Sequence, residues 1–168
     1  YFSVETLMAT LNIIVGPPGS GKSTLAKKMV QQDTQEGIGD LVYVNQDSQG
    51  KDGHRQTFTQ AITEGKNVVV DRMNFNQQQR QFYIQSAKAL NYTVNIFVIH
   101  ESWMTCFERM SKRLNHETIK DEQSARAALH TFFTKYERPD PSEADNIYFL
   151  YPEGPKPLAI VCDLDGTM

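Results

Sequence analysis

The chain has 168 residues, and a hydrophobic share of 39% is enough for one domain whose core needs no disulfide or metal staple. A formal charge of −3 excludes a wholly basic protein that coats nucleic acid, while leaving room for a local basic groove. Cys106 and Cys162 are widely separated and lack metal-ligand spacing, so they read as reduced core thiols of a cytoplasmic protein. No apolar run approaches the ~20 residues of a membrane span, and the N-terminus lacks the layout of a secretion signal. Tyr1–Leu7 reads as residues added ahead of the natural start, because Met8 stands directly before the first strand.

In chain order, Leu11–Val15 reads as a buried strand and Leu25–Val30 as a helix. Between them, Gly16-Pro-Pro-Gly-Ser-Gly-Lys-Ser-Thr24 fits G-x-x-x-x-G-K-[S/T] at every position. Residues 31–40 are polar, with two glycines, and read as a loop. Leu41–Val44 is a short β-prone run that leads straight into Asn45-Gln-Asp-Ser-Gln-Gly50, placing Asp47 just past a strand's carboxyl end. Asp52–Glu64 reads as a helix with Phe58, Ala61 and Ile62 inward. Asn67–Asp71 is an apolar strand ending in an acid. Gln77–Leu90 reads as a helix with Phe82, Ile84, Ala87 and Leu90 inward, and Tyr92–Ile99 as a fourth strand.

Ser102 is placed to cap a helix through Trp103, Phe107 and Met110. Residues 116–121 read as a loop, and Glu122–Tyr136 as a helix with Ala125, Ala128, Leu129, Phe132 and Phe133 at core spacing. A Pro- and acid-rich connector over 138–144 leads to a strand at Ile147–Leu150 and a stiff linker from Pro152 to Pro157. Alternating strands and helices predict a parallel α/β sheet. The division is 1–7 as added residues, 8–151 as one domain, and 152–168 as a linker plus the start of something further.

The chemistry begins at the loop. Gly16, Gly19 and Gly21 let the loop that also holds Pro17, Pro18, Ser20 and Thr24 turn its available backbone N–H groups onto phosphate oxygens. Lys22 is placed to reach the β/γ-phosphates and the Ser23 hydroxyl to ligate Mg²⁺, so a nucleoside triphosphate such as ATP is expected. Asp47 fits two roles, the base that accepts a proton from an acceptor hydroxyl or an Asx-turn cap of the following helix. Asp71 fits the metal side, through a bound water, or a structural partnership with Ser23 or Arg72. Arg109 and Arg113, four apart, share a helix face that meets no matching acid in sequence, which suits either a polyanion clamp or a solvated face. Lys51, His54 and Arg55 suit an acceptor phosphate or an exposed helix start.

These motifs, in this order, resemble the 5′-hydroxyl polynucleotide kinase family, with the nearest likeness to the kinase domain of the bacteriophage polynucleotide kinase/3′-phosphatase. The resemblance rests on the phosphate loop, Val44-Asn-Gln-Asp47, Val70-Asp-Arg-Met-Asn74 and Arg109-Met-Ser-Lys-Arg113. It implies a P-loop NTPase of adenylate-kinase-like type, with a central parallel sheet flanked by helices and a helical lid. It further implies Asp47 as general base, Arg109 and Arg113 as lid arginines, and ATP or another NTP with Mg²⁺ as donor. The acceptor it implies is a 5′-OH end of single-stranded or end-exposed RNA or DNA, in end repair.

Two positions depart from the family pattern. Gly50 stands where the family often places the arginine that holds the acceptor's phosphate, leaving Lys51, Arg55 or Arg72 for that work. Arg72 gives an Asp-Arg-x-Asn variant, similar to kinase modules attached to RNA ligases. Ile160–Thr167 resembles the first motif of haloacid-dehalogenase-type phosphatases, with Asp163 as nucleophile and Asp165 as acid/base. The chain stops there, so a native fusion to a C-terminal phosphatase domain is expected, with no phosphatase activity in this piece. A homo-oligomer is compatible with the sequence. Two rivals stand beside the kinase reading: a kinase of small-molecule alcohols such as sugars or nucleosides, and a nucleotide-regulated binding module of a repair protein.

Overall fold

The structure is a computed structural model that describes residues 9–37, 39–114 and 119–151, without the side chains of 113, 114 and 119–121. The expected N-terminal addition, the linker and the Asp163/Asp165 motif lie outside the described residues. The elements are β1 (Thr10–Val15), α1 (Lys22–Gln35), β2 (Val42–Asn45), α2 (Gln46–Gln49), α3 (Lys51–Thr63) and β3 (Val68–Asp71). They continue as α4 (Gln77–Lys88), β4 (Thr93–Ile99), α5 (Trp103–Leu114), α6 (Ile119–Lys135), a 3₁₀ turn (Pro141–Glu143) and β5 (Asn146–Leu150).

The strands form one sheet in the order β2-β3-β1-β4-β5, and every pairing is parallel. Parallel strands need helical crossovers, which cover both faces, so the central strands read as continuous apolar runs. Along β1 the period of two divides them. Leu11, Ile13 and Val15 join Phe58, Tyr83, Val94 and Phe132 in the larger core, while Ile14 joins Ala26, Val69 and Ile99 beneath α1. This is a P-loop NTPase-like kinase fold. Chain connections leave β1 and β3 towards opposite sides of the sheet, and such a reversal opens a crevice at the carboxyl edge.

Several local expectations need correction. Helix α1 runs to Gln35, so residues 31–35 are helical rather than loop. Thr34 donates to the Val30 carbonyl and Gln32 to Glu36 one turn on, which keeps this polar end helical. Residues 46–49, to which the sequence pattern assigns no element, form the single turn α2. Helix α6 begins at Ile119 rather than Glu122. Leu90 and Phe133 were expected inward but are exposed. Helix α4 ends at Lys88 and the chain turns through Asn91 (φ 62°), carrying Leu90 away, while Phe132 is the aromatic of α6 that enters the core. Ser102 does cap α5, accepting from the Thr105 amide at 3.1 Å. Cys106 is buried, as expected of a core thiol. Among the described residues no helix is long and apolar enough to cross a membrane.

His54 and His100 sit below their ordinary value of 6.5, each chiefly through burial of the ring. As pH falls below 6.5 the unfolded chain takes up protons that the folded rings resist. Stability is therefore expected whole above that value and lost as pH drops through the depressed folded values. Urea midpoints should be lower at pH 5.5 than at pH 7.5; a midpoint that rises on acidification would contradict the assignment.

Candidate active site

At the carboxyl edge, the register sets Ile14 beside Asp71 and Asp71 beside Asn45, so β2 and β3 deliver their last residues, and β1 its last but one, to one row. The phosphate loop leaves β1 at this row. Gly19 has φ +80°, and a Cβ there would stand 2.7 Å from the Cys106 carbonyl oxygen and 3.0 Å from Met110 Cγ. Only glycine lets α5 pack this closely over the loop. Lys22 Nζ donates to the Pro17 carbonyl at 2.9 Å, folding its ammonium over the loop. From the other side, the Gly16 amide donates to the Met73 carbonyl at 3.2 Å and Asn74 Nδ2 to the Ile14 carbonyl at 2.9 Å. Asn74 is fully buried with φ +46°, a conformation asparagine tolerates better than most residues.

A cleft of about 440 Å³ opens at this edge. It is lined by Lys22, Ser23 and Thr24 from the start of α1, Asp47 from α2, Asp71 at the end of β3 and Arg72 just after it, Gln79 from α4 and Ala128 from α6. Asp71 Oδ2 accepts from Tyr43 Oη at 2.5 Å, Asn45 Nδ2 at 2.9 Å and Ser23 Oγ at 3.1 Å. Of the two structural partners expected for Asp71, Ser23 is one and Arg72 is not. Burial, then the neighbouring carboxylate, raises the Tyr43 phenol above its ordinary value, so it stays a donor to Asp71 at neutral pH.

Asp47 sits on the single turn α2, exposed at the cleft wall. The cap of that turn is Asn45, whose Oδ1 accepts from the Ser48 amide at 3.0 Å. The expectation that Asp47 might instead cap the next helix does not hold: among the described residues nothing makes a hydrogen bond or ion pair with its carboxylate. It lines the cleft with no partner among the described residues.

The basic residues divide. Arg72 lines the cleft, and its Nη1 donates to Tyr83 Oη at 2.6 Å. Lys51 and Arg55 are exposed on α3 and do not line the cleft; the Arg55 guanidinium lies 4.7 Å over the Phe82 ring. His54 is 1% exposed and bonded to Tyr83, so it cannot reach an acceptor's phosphate. Arg109 reaches the loop from α5, donating to the Gly19 carbonyl at 3.2 Å. It also pairs with Glu101 at 3.3 Å, which corrects the expectation that its face meets no matching acid. The acid comes from the turn before α5, not from the helix. Arg113 lies on α5, and its side chain lies outside the described residues.

Gly50 explains its own departure from the expected arginine. It joins α2 to α3 with φ 80° and ψ 168°, a region essentially reserved for glycine. Gly50→Arg is expected to cost about 1–3 kcal/mol of stability in urea unfolding. An unchanged midpoint would show that the joint relaxes at no cost.

The AAA domain family model matches residues 11–139. The chain belongs to the AAA domain family. A protein of Autographa californica nuclear polyhedrosis virus, provisionally named a bifunctional polynucleotide kinase/RNA ligase, is 30% identical over 94% of the chain and 24% of its own length. The Arabidopsis thaliana transcription factor bHLH140 is 29% identical over 83% of the chain and 16% of its own length. The chain thus spans a quarter or less of the curated relatives it matches. Among solved structures, Chaetomium thermophilum Kti12 in complex with ADP-AlF3 superposes with a TM-score of 0.67 at 16% identity, over 88% of this chain and 92% of that one. Mycobacterium tuberculosis APS kinase CysC, in complex with AMPPNP and APS, gives 0.58 at 16% identity over 94% and 97%. A gluconokinase from Sinorhizobium meliloti gives 0.56 at 16% identity over 89% and 85%. At these identities the likeness establishes the kinase fold of this AAA domain and not its substrate.

Proposed function

We propose that this AAA domain transfers the γ-phosphoryl group of ATP, or another NTP, to the 5′-OH end of RNA or DNA. The observation that carries the reading is Asp47, a carboxylate with no hydrogen-bond or ion-pair partner among the described residues, which lines the same cleft as the phosphate loop. The 30% identical viral relative, by its name, supports a polynucleotide acceptor.

In this reading the N–H groups of the phosphate loop beyond Pro18, with Lys22, hold the donor's phosphates. Ser23 and Asp71 offer hard oxygens 3.1 Å apart beside the loop, a donor set that fits Mg²⁺ with phosphate and water as its other ligands. When bound, the cation would offset negative charge on the β- and γ-phosphates. Asp47 orients the acceptor hydroxyl and takes its proton as the oxygen bonds to the γ-phosphorus and the bond to the leaving ADP breaks. Arg72 lies across the cleft to receive an acceptor phosphate, with exposed Lys51 and Arg55 available to a longer strand. Arg109 and Arg113 act from α5, Arg109 by holding the loop at Gly19. Arg113→Ala is expected to lower kcat more than acceptor affinity, and unchanged turnover would exclude it from the clamp.

The test is whether nucleotide turnover depends on the acceptor's end. ATP should be consumed with a 5′-OH oligonucleotide and not with the same oligonucleotide already 5′-phosphorylated. Equal turnover with both, or none with either, would overturn the reading in favour of an ATPase or a binding module. Local function in the cytoplasm, a homo-oligomer and a phosphatase domain fused beyond residue 151 remain part of the proposal.

A further inference from the structure

Arg72 does not hang freely in the cleft. Behind it runs a buried chain of hydrogen bonds whose proton directions are fixed by what each atom can do. The Gly50 carbonyl only accepts, so His54 Nδ1, 3.1 Å away, must carry a proton and donate to it. Burial lowers the basicity of this ring, which favours the neutral form, and in that tautomer Nε2 is an acceptor. Tyr83 Oη, 2.7 Å from Nε2, then donates its single proton to His54. The phenolic oxygen's lone pairs are left for Arg72 Nη1 at 2.6 Å. The bonds run one way, from guanidinium to phenol to imidazole to the carbonyl at the α2–α3 joint, and the bonded ends are all satisfied.

The platform is rigid. Tyr83 and His54 are each 1% exposed, and the Tyr83 ring meets Phe58 and Phe82 edge-on at 5.1 and 5.2 Å. The Arg72 guanidinium also lies 5.9 Å over the same ring. A cation seated this way loses little freedom when it meets an anion, so more of the contact appears as affinity. Gly50, where the chain ends, also joins α3 to the turn that carries Asp47.

We propose that Tyr83 and His54 are positioning residues that fix the Arg72 guanidinium on the acceptor side of the cleft, so that an acceptor phosphate docks there with its hydroxyl facing Asp47. This rests on the phosphotransferase reading and makes acceptor selection act through Arg72.

The test is steady-state kinetics with a 5′-OH oligonucleotide and ATP, alongside thermal melting. Tyr83→Phe deletes one oxygen and is expected to raise KM for the oligonucleotide about tenfold, with KM for ATP unchanged. In an Arg72→Ala background the same substitution should add nothing, because its effect runs through Arg72. His54→Gln, which keeps an acceptor for the phenol, should stay near the parent, and His54→Phe should behave like Tyr83→Phe. A merely structural pair would lower the melting temperature and leave the oligonucleotide KM in place. That result, or a Tyr83→Phe effect that persists without Arg72, overturns the proposal. If Tyr83→Phe does not fold, the two His54 variants decide in the same way. Unchanged oligonucleotide KM in Arg72→Ala also overturns it while leaving the transferase reading intact, whereas no labelling by the parent protein removes both.

Discussion

Asp47→Ala is expected to reduce phosphoryl transfer by about 10²–10⁴-fold while nucleotide affinity stays at the parent value. The two effects separate because the carboxylate contributes nothing to the donor side. The Gly-rich loop follows β1, Lys22 and Ser23 open α1, and Asp71, bonded to Ser23, ends β3, whereas Asp47 sits on α2 after β2. Among the described residues its carboxylate makes no hydrogen bond or ion pair, and Asn45 supplies the cap of that turn. Stability should therefore be unchanged, and a loss of rate can be read as chemistry. Single-turnover transfer to a 5′-OH oligonucleotide, with binding of a fluorescent ATP analogue in parallel, checks both halves. Parent-rate transfer would remove Asp47 from the mechanism, and lost ATP binding would move it to the donor site.

The largest stability effect is expected far from the chemistry, at Arg80. Its side chain is fully buried, Nε and Nη2 meet the two Glu143 oxygens at 2.8 and 3.1 Å, and Nη1 donates to the Asn74 carbonyl at 2.9 Å. Glu143 in turn accepts from the Asp140 amide at 2.8 Å, closing a capping box on the 3₁₀ turn. Arg80→Ala leaves a buried carboxylate without its counter-charge, which costs about 3–5 kcal/mol. That is a large part of the 5–15 kcal/mol a domain usually has. Replacing the pair by apolar residues, Arg80→Met with Glu143→Leu, should recover much of the loss, limited by the orphaned Asp140 amide. Urea unfolding measures it. A single-variant loss below about 1 kcal/mol would mean that water reaches the carboxylate.

The fold was largely legible, for identifiable reasons. β3 is buried on both faces and shows as an unbroken apolar run up to Asp71, β1 shows as one interrupted only at Asn12 from Leu11 on, and the phosphate loop carries its own spacing. What failed was polar or short. The last turns of α1 offer no apolar stripe, because side-chain bonds such as Thr34 to Val30 hold them, and the single turn α2 is too brief for any period to appear. Leu90 obeys helical spacing but falls beyond the helix end, which the positive φ of Asn91 sets.

At the site, Lys22, Ser23, Asp47, Asp71 and Arg72 were found from motif and strand position, and the cleft gathers all five. Lys51 and Arg55 were nominated by proximity in sequence to Asp47, but α3 carries them outward along its exposed face. The roles of Tyr43, Tyr83 and His54 were hidden because each depends on a partner 28, 11 or 29 residues away. The capping role of Asn45 was open to inspection, since Asn followed three residues later by an amide donor is a familiar helix start. The Glu101–Arg109 pair crosses the turn before α5, which helical spacing does not reveal.

Acceptor competition tests the central claim most directly. The protein is given labelled ATP and one mixture of a 5′-OH oligonucleotide, nucleosides and gluconate, and the products are separated. A cleft lined by the phosphate loop, Asp47 and Arg72 should place nearly all the label on the oligonucleotide's 5′ end. Label on gluconate or on free nucleosides at comparable rates would contradict the account and make this fold a small-molecule kinase.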